Sequence, residues 1–444
     1  MADEPDVIEI LRDLIRFDTT NPPGNEKPAA DYLARLLAKD GISSELVEPA
    51  PGRASVIARL KGGSEPPLLL SAHLDVVAAA GKWERPPFSG DLHRGYVWGR
   101  GAVDMKHMAA MSAAVLVGLK RSGAPLRRDV IFAGVADEEA GGAFGAGWIV
   151  ENRPDLLKAG YCMTEVGGMA TPMPKGIVVP VQVAERGFLW FRLKAKGPGG
   201  HGSTPRSASA VATLAAAVDR LSSKPLRYHL TPSARAFIKT VAAANGPAAS
   251  AVLVGLLSSK TAPLALKMLP AERQNVFRAM LYDTAVVTVL SAGSKVNVVP
   301  EEAVAEVDGR YLPGVSPDPG VSREEFLSQI RSVVGPSVEI LPFTEGPPTE
   351  MPGTGPLMDS IVRVLGRRLP GAKVTPYLMP GMTDAKHYAK LGMTVYGFAP
   401  VSLKPDEPFA ALYHAPDERI SVEGMRTGYS WLKEVVEDFC LEKA

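Results

Sequence analysis

The stretch Pro67-Leu-Leu-Leu-Ser-Ala-His-Leu-Asp75 carries the reading of the fold. Its Leu68–Leu70 run is apolar at every position, as a strand covered on both faces should be. His73 and Asp75 stand where that strand runs out. They are two residues apart, so in an extended segment they point the same way. The segment Asp129-Val-Ile-Phe-Ala-Gly-Val-Ala136 repeats the arrangement, with Glu138 and Glu139 just beyond its end. Open α/β sheets place their sites at that edge.

Working outward, Val7, Ile10, Leu11, Leu14 and Ile15 recur with helical spacing. That helix should stop before Asn21-Pro22-Pro23-Gly24, a turn sequence. Tyr32, Leu33, Leu36 and Leu37 predict a second helix ending at Gly41, and residues 54–60 another strand. Met108–Leu119, rich in Ala, Leu and Met, reads as helix. Helices alternating with apolar strands predict an α/β domain.

The texture changes near residue 186. Phe188–Lys196 partly alternates, as a sheet with one exposed face would. A glycine-rich loop at Gly197–Thr204 and an alanine-rich helix over 208–221 follow, then strand candidates at Val286–Leu290 and Ala303–Val307. The expected organisation is a catalytic α/β domain over 1–187, an inserted α+β domain over 188–345, and a return to the first domain over 346–444. Residues 222–285 contain apolar and helical stretches and form either an extension of the insert or a lid. Pro342–Pro356 reads as a linker. Leu357–Val364 and Thr394–Phe398 resume as helix and strand, and 431–441 as a closing helix.

A chain of 444 residues is long enough for two or three cores. Apolar residues make up 46% and charged residues 22%, the balance of a folded protein. Lys plus Arg is 49 and Asp plus Glu is 48, a net charge of +1 in which nothing argues for nucleic acid or an anionic membrane as partner. Two cysteines, Cys162 and Cys440, supply neither a disulfide framework nor a thiolate metal cluster. The acidic start MADEPDVIEI has no secretory pattern. The apolar stretch Ala248–Leu257 is far shorter than the roughly 20 residues of a membrane span. A cytoplasmic location is the expectation.

Each polar residue at an element's end has a plain alternative. His73 beside Asp75 could be a histidine satisfied by a carboxylate, and Asp104, before a helix, a cap. Adjacent Glu138 and Glu139 repel unless exposed or held by cations. Glu165 again sits at an element's end, and His414 lies far along the chain. Together they offer hard oxygen donors and two imidazoles, a mixture suited to zinc, cobalt or manganese. Two ions could share one carboxylate at about 3.5–4 Å separation.

Eight segments carry a resemblance: SAHLDVV at 71–77, GRGAVDMK at 99–106, DEEAGG at 137–142, EVGG at 165–168, GGHGSTP at 199–205, KVNVVP at 295–300, GMTDAKHY at 381–388 and YHAPDERI at 413–420. In order and spacing the chain resembles the M20 metallopeptidases, the group of acetylornithine deacetylases, succinyl-diaminopimelate desuccinylases, aminoacylases and glutamate carboxypeptidases. The resemblance runs through nearly the whole chain.

That resemblance implies a zinc-peptidase-like catalytic domain with an inserted dimerisation or lid domain. It implies two divalent ions, with zinc the first choice and cobalt or manganese the alternatives. His73 and Glu165 would hold one ion, Glu139 and His414 the other, and Asp104 would bridge them. Asp75 would orient His73. The Asp104–Met105 bond would be cis, as is frequent in the family. Glu138 would be the general base, and His201, commonly acting across a homodimer, would support the oxyanion. Asn297 and Arg310 match positions that hold substrate, and Gly381, Met382 and Thr383 match a substrate loop. His387 is a tempting ligand beside Asp384, but the family pattern favours His414; His107 reads as structural and near the site, His93 as surface. The implied reaction is hydrolysis of the amide of an N-acyl amino acid or a related small molecule with a free carboxylate. A dipeptidase or carboxypeptidase of the same chemistry is the nearest alternative, and a non-catalytic binding protein the distant one.

Overall fold

The computed structural model describes residues 5–204, 208–314, 321–405, 407 and 409–442. Glu65–His73 is a strand of an 11-stranded mixed sheet, lying between Arg128–Val135 and Tyr161–Thr164 and parallel to both. Leu68 and Leu70 pack into one core while Leu69 packs into the other, so the continuous apolar run reflects cover on both faces. All three are fully buried, each contributing roughly 1.5–3 kcal/mol by area. His73 pairs in register with Val135. The two strand ends therefore meet, and the carboxylates after Val135 lie beside His73.

One face carries the buried helix Lys106–Ser122, flanked by Val7–Arg16 and Val422–Cys440. The other face is covered through Ala146, Ile149 and Tyr388. The tail rejoins this sheet: Thr394–Gly397 pairs with both Tyr161–Thr164 and Gly176–Glu185, and Lys373–Met379 runs parallel to the latter.

A second, four-stranded antiparallel sheet is formed by Thr284–Ala292, Glu302–Tyr311, Gly187–Lys196 and Val338–Gly346. Leu189, Phe191, Leu193 and Ala195 face the helices Ala210–Ser223 and Arg323–Val334, while Trp190 and Arg192 stay exposed. This is the one-sided alternation that the sequence predicts. The architecture is an α/β mixed-sheet domain with an inserted α+β unit.

Two segments differ from expectation. The Pro342–Pro356 linker is in part strand: Val338–Gly346 pairs with Gly187–Lys196 along the sheet edge, and Thr349–Glu350 pairs with Ala184 and Glu185. Pro342 sits at the register shift, where a missing N–H is tolerated, and the exposed edge accepts polar residues. Residues 222–285 contain four helices, Pro232–Ala243, Pro247–Gly255, Ala262–Lys267 and Ala271–Leu281. Ala234, Ile238 and Ala242 of the first share a core with Val179, Val181 and Val183 of the large sheet, and Phe237 meets Tyr377 edge-on at 5.1 Å. By core packing the four helices belong with the large sheet, whereas Leu226 and Thr284–Ala285 at the ends of the interval go with the four-stranded one. Among the described residues no helix is long and apolar enough to cross a membrane.

The helices Pro356–Arg368 and Val422–Cys440 are tied by ion pairs of Arg367 and Arg368 to Glu434, and of Arg363 to Asp438. Burial would raise both carboxylates, but it is outweighed by the arginine hydrogen bonds, and both lie below their ordinary values. A carboxylate depressed in the folded state stabilises above its unfolded pKa and loses that contribution as the pH falls through the folded one. The expected result is a steeper acid-side loss of unfolding midpoint, below about pH 4, in the wild type than in a Glu434→Gln, Asp438→Asn protein. Equal slopes for the two proteins would rule out this contribution.

Candidate metal centre

His73, Asp104 and Glu165 each place a donor atom within 4.8 Å of the other two, and Asp104, Glu139 and His414 do the same. Asp104 is common to both sets, and its two oxygens divide between them. Oδ1 lies 3.1 Å from His73 Nε2, and Oδ2 lies 3.0 Å from His414 Nε2. Glu165 Oε2 is 3.9 Å from His73 Nε2, and Glu139 Oε2 is 3.4 Å from His414 Nε2.

The elements explain the convergence. His73 ends one buried strand, Glu139 follows the neighbouring one, and Glu165 follows Tyr161–Thr164 on the other side. Asp104 precedes the helix Lys106–Ser122, and its bond to Met105 is cis. His414 is carried by the returning tail, with φ of 59°. Glu418, from the same tail, accepts the main-chain N–H groups of Gly101, Val103 and Asp104 at 3.2, 2.6 and 3.0 Å and pairs with Arg100 at 2.7 Å. Lys106 is fully buried; its Nζ donates to the carbonyls of Leu14 and Phe17 at 3.0 and 2.8 Å, and burial pushes it down to about 7. The loop bearing Asp104 is thus held from both sides.

The electrostatics suit cations. Burial pushes Glu138 and Glu165 well above the ordinary carboxylate range, and neighbouring carboxylates push in the same direction. His414 is raised to about 10 by its hydrogen bonds to Asp104 and Glu139. Glu139 Oε1 is buried with no hydrogen-bond partner among the described residues. Three carboxylates gathered on two imidazoles, one with an unsatisfied oxygen, form a donor set that divalent ions fit.

Asp75 is arranged differently from a simple carboxylate–histidine pair. His73 Nδ1 lies 2.9 Å from the main-chain oxygen of Asp75 and 3.6 Å from its carboxylate. The carboxylate instead accepts the N–H groups of Glu138 and Glu139, both at 3.1 Å. It also accepts Asn21 Nδ2 at 2.8 Å.

The other predicted residues fall into two groups. His201 and Asn297 lie together on an exposed ribbon, where Gly200–His201 pairs with Val298–Val299 and Gly202 N–H donates to the Asn297 carbonyl at 2.9 Å. Among the described residues no hydrogen bond or ion pair links that ribbon to the donor sets. Arg310 sits at the joint of the two sheets, its fork on Asp308 at 2.7 and 3.1 Å and its guanidinium 5.6 Å from the Phe188 ring. In the loop Gly381-Met382-Thr383, Thr383 is buried and donates to Glu185. His387 is 3.2 Å from the Gly141 carbonyl and outside both donor sets. His107 is buried with neither ring nitrogen paired, and burial pushes it down to about 4. His93 is partly buried beside Trp98 and Arg85.

Sequence reasoning passed over Glu418, Asn21, Arg53 and Glu26. Glu418 had a signal, an acid in the segment that carries His414. Asn21 was absorbed into a turn, and neither Arg53 nor Glu26 stands out by period or spacing.

The model described as Peptidase family M20/M25/M40 matches residues 69–438. The chain belongs to this family. With two candidate metal clusters in an M20 peptidase fold, it is a metal-dependent hydrolase. Among curated relatives, it is 28% identical over 440 residues to the N-fatty-acyl-amino acid synthase/hydrolase PM20D1 of Xenopus tropicalis, covering 94% of this chain and 83% of the relative. It is 31% identical over 416 residues to PM20D1.1 of Danio rerio, a protein of the same description, covering 88% and 77%. Carboxypeptidase S of Saccharomyces cerevisiae is 25% identical over 417 residues, covering 84% and 72%. The M20 metallo-carboxypeptidase Sso-CP2 of Sulfolobus solfataricus has the same fold, with a TM-score of 0.73 over 98% of this chain and 99% of that one at 20% identity.

Proposed function

We propose that this protein hydrolyses the amide bond of N-acyl amino acids or related small substrates with a free carboxylate, using two divalent ions. The observation that carries the reading is Asp104, whose two oxygens face two separate three-donor sets. His73 and Glu165 would hold one ion, Glu139 and His414 the other, with Asp104 shared; zinc is the first expectation, cobalt or manganese the alternatives. Such a pair of ions lowers the pKa of water and stabilises negative charge. Glu138 stands next to Glu139, and burial pushes it well above the ordinary carboxylate range, with the His73 imidazole opposing that shift. It would take a proton from the attacking water and return it to the leaving amine. The Asp75 carboxylate fixes the main chain of Glu138 and Glu139, and so aims both side chains.

Arg310 and Asn297 would bind the substrate carboxylate, and Gly381-Met382-Thr383 would contact the substrate from the catalytic domain. Arg310 holds its donors forked on Asp308, a pair that a substrate carboxylate would exchange with. His201 would support the oxyanion, and its exposure on a ribbon fits a role completed by a homodimer partner or by domain closure. The curated relatives named for N-fatty-acyl-amino acids support an acyl amino acid over a peptide.

The test is a panel of N-acyl amino acids, from acetyl to long-chain acyl, run beside dipeptides and analysed for products. Release of a carboxylic acid and an amino acid supports this reading; cleavage only of peptides favours the carboxypeptidase alternative that Carboxypeptidase S suggests. Stripping ions with a chelator is expected to abolish turnover, and zinc, cobalt or manganese to restore it. Full activity in a protein shown by elemental analysis to hold no divalent ion would end the proposal.

A further inference from the structure

Asn21 lies outside both donor sets and is 5% exposed. Its Nδ2 lies 2.8 Å from Asp75 Oδ2 and 3.0 Å from Asp137 Oδ1. Both partners are carboxylate oxygens, so the amide nitrogen must face them and spend both hydrogens there. Asp137 is in turn held by Arg53 Nη2 at 2.6 Å and by the Phe144 N–H at 2.9 Å. Arg53 is fixed from behind by Glu26 through two bonds of 2.8 and 2.9 Å. The result is a buried line of groups, Glu26, Arg53, Asp137, Asn21 and Asp75, that ends on the main-chain N–H groups of Glu138 and Glu139.

We propose that Asn21 is a positioning residue for the hydrolytic reaction: its amide joins the Asp75 and Asp137 carboxylates and thereby sets the turn that presents Glu138 and Glu139. The physical need is specific. Two buried carboxylates on either side of one turn repel each other unless a donor stands between them. Asp137 has φ of 70°, an unfavourable conformation for a residue with a side chain, so its contacts must hold the turn in place. The proposal rests on the reading of Glu138 and Glu139 given above.

The loop carrying Asn21 does not depend on the amide. Asn21 N–H donates to the Val76 carbonyl at 2.9 Å, Val76 N–H to the Thr19 carbonyl at 3.1 Å, and Thr19 Oγ1 to the Leu74 carbonyl at 2.7 Å. Asn21→Ala should therefore keep the loop and lose the bridge. At saturating ion, Asn21→Ala is expected to lower kcat about 10- to 100-fold and to weaken ion binding by a similar factor. KM should stay within about threefold, because no substrate contact is removed. Asn21→Asp, which sets a third carboxylate among two, should be worse than Asn21→Ala on both counts.

Circular dichroism and thermal unfolding establish that the variants fold, and calorimetric zinc titration measures the ions. A lowered unfolding midpoint with unchanged kcat and unchanged zinc affinity would assign Asn21 a purely structural role and overturn the proposal. If Asn21→Ala does not fold, Arg53→Lys takes its place: it keeps the charge but loses the fork that grips Glu26, and must show the same fall in kcat with constant KM or the proposal fails. If the wild-type protein cleaves neither N-acyl amino acids nor peptides, the functional reading fails alone. Zinc affinity then decides for Asn21: weaker binding supports the positioning role, and unchanged binding overturns it.

Discussion

A Glu138→Ala protein loaded with ions is expected to turn over about 10²- to 10⁴-fold more slowly than the wild type, with its ion content unchanged. The argument starts from the main chain. Glu138 and Glu139 share one short turn, Glu138–Ala140, whose N–H groups are held by the Asp75 carboxylate. Glu139 is in a three-donor set and Glu138 is not, so truncating Glu138 removes a proton acceptor without removing a proposed ligand. Burial and the carboxylates of Asp384 and Glu139 make the charged form of Glu138 costly, with His73 opposing them. A carboxylate that stands beside the ions without ligating them is free to take a proton from water and give it to the leaving group. Parallel measurement of kcat and of divalent ions per chain decides the matter. Near-normal kcat with two ions bound would remove Glu138 from the mechanism; loss of the ions together with activity would make it a ligand.

The second large effect concerns stability. Arg100 and Glu418 are 1% and 0% exposed, pair at 2.7 Å, and lie 318 residues apart. Glu418 also accepts three main-chain N–H groups of the loop that carries Asp104. Arg100 Nη1 reaches the Ala415 carbonyl at 3.1 Å, and its guanidinium lies 5.1 Å from the Trp83 ring. Arg100→Met would leave the Glu418 carboxylate buried without its cation, a change that costs about 3–5 kcal/mol in comparable pairs. The expected result is a large fall in the denaturant midpoint, with loss of ion binding, because the tail bearing His414 and the loop bearing Asp104 share this clamp. The double variant Arg100→Met, Glu418→Gln should recover part of the stability by removing the stranded charge. A midpoint within the error of wild type for Arg100→Met would show that the pair is not what holds the two segments.

The site and the fold were not equally legible. The strands Arg53–Leu60, Glu65–His73 and Arg128–Val135 announce themselves because a strand covered on both faces has no polar position to interrupt it. His73, Glu138 and Glu139 were legible for the same reason: polar groups appear abruptly where such a strand ends. Val338–Gly346 was read partly as linker because an exposed edge strand carries Pro, Thr and Glu without penalty. Within 222–285 the sequence shows apolar and helical stretches but not the four separate helices, and nothing in their spacing says which core receives Ala234, Ile238 and Ala242.

What the chain's own order determined was the α/β character, the polar groups at the strand ends, and, through the order of its motifs, membership of a metallopeptidase family. These depend on residue type and short spacing, which a linear reading preserves. The tertiary structure alone decided that the two oxygens of Asp104 divide between His73 and His414, that Asp75 offers its main-chain oxygen to the imidazole and its carboxylate to the next turn, and that Asn21 bridges two carboxylates. Those contacts join residues 31 to 310 positions apart, apart from the local one at His73. A hydrogen bond needs about 3 Å and a direction, and both are set by how elements pack, not by which residues the chain contains.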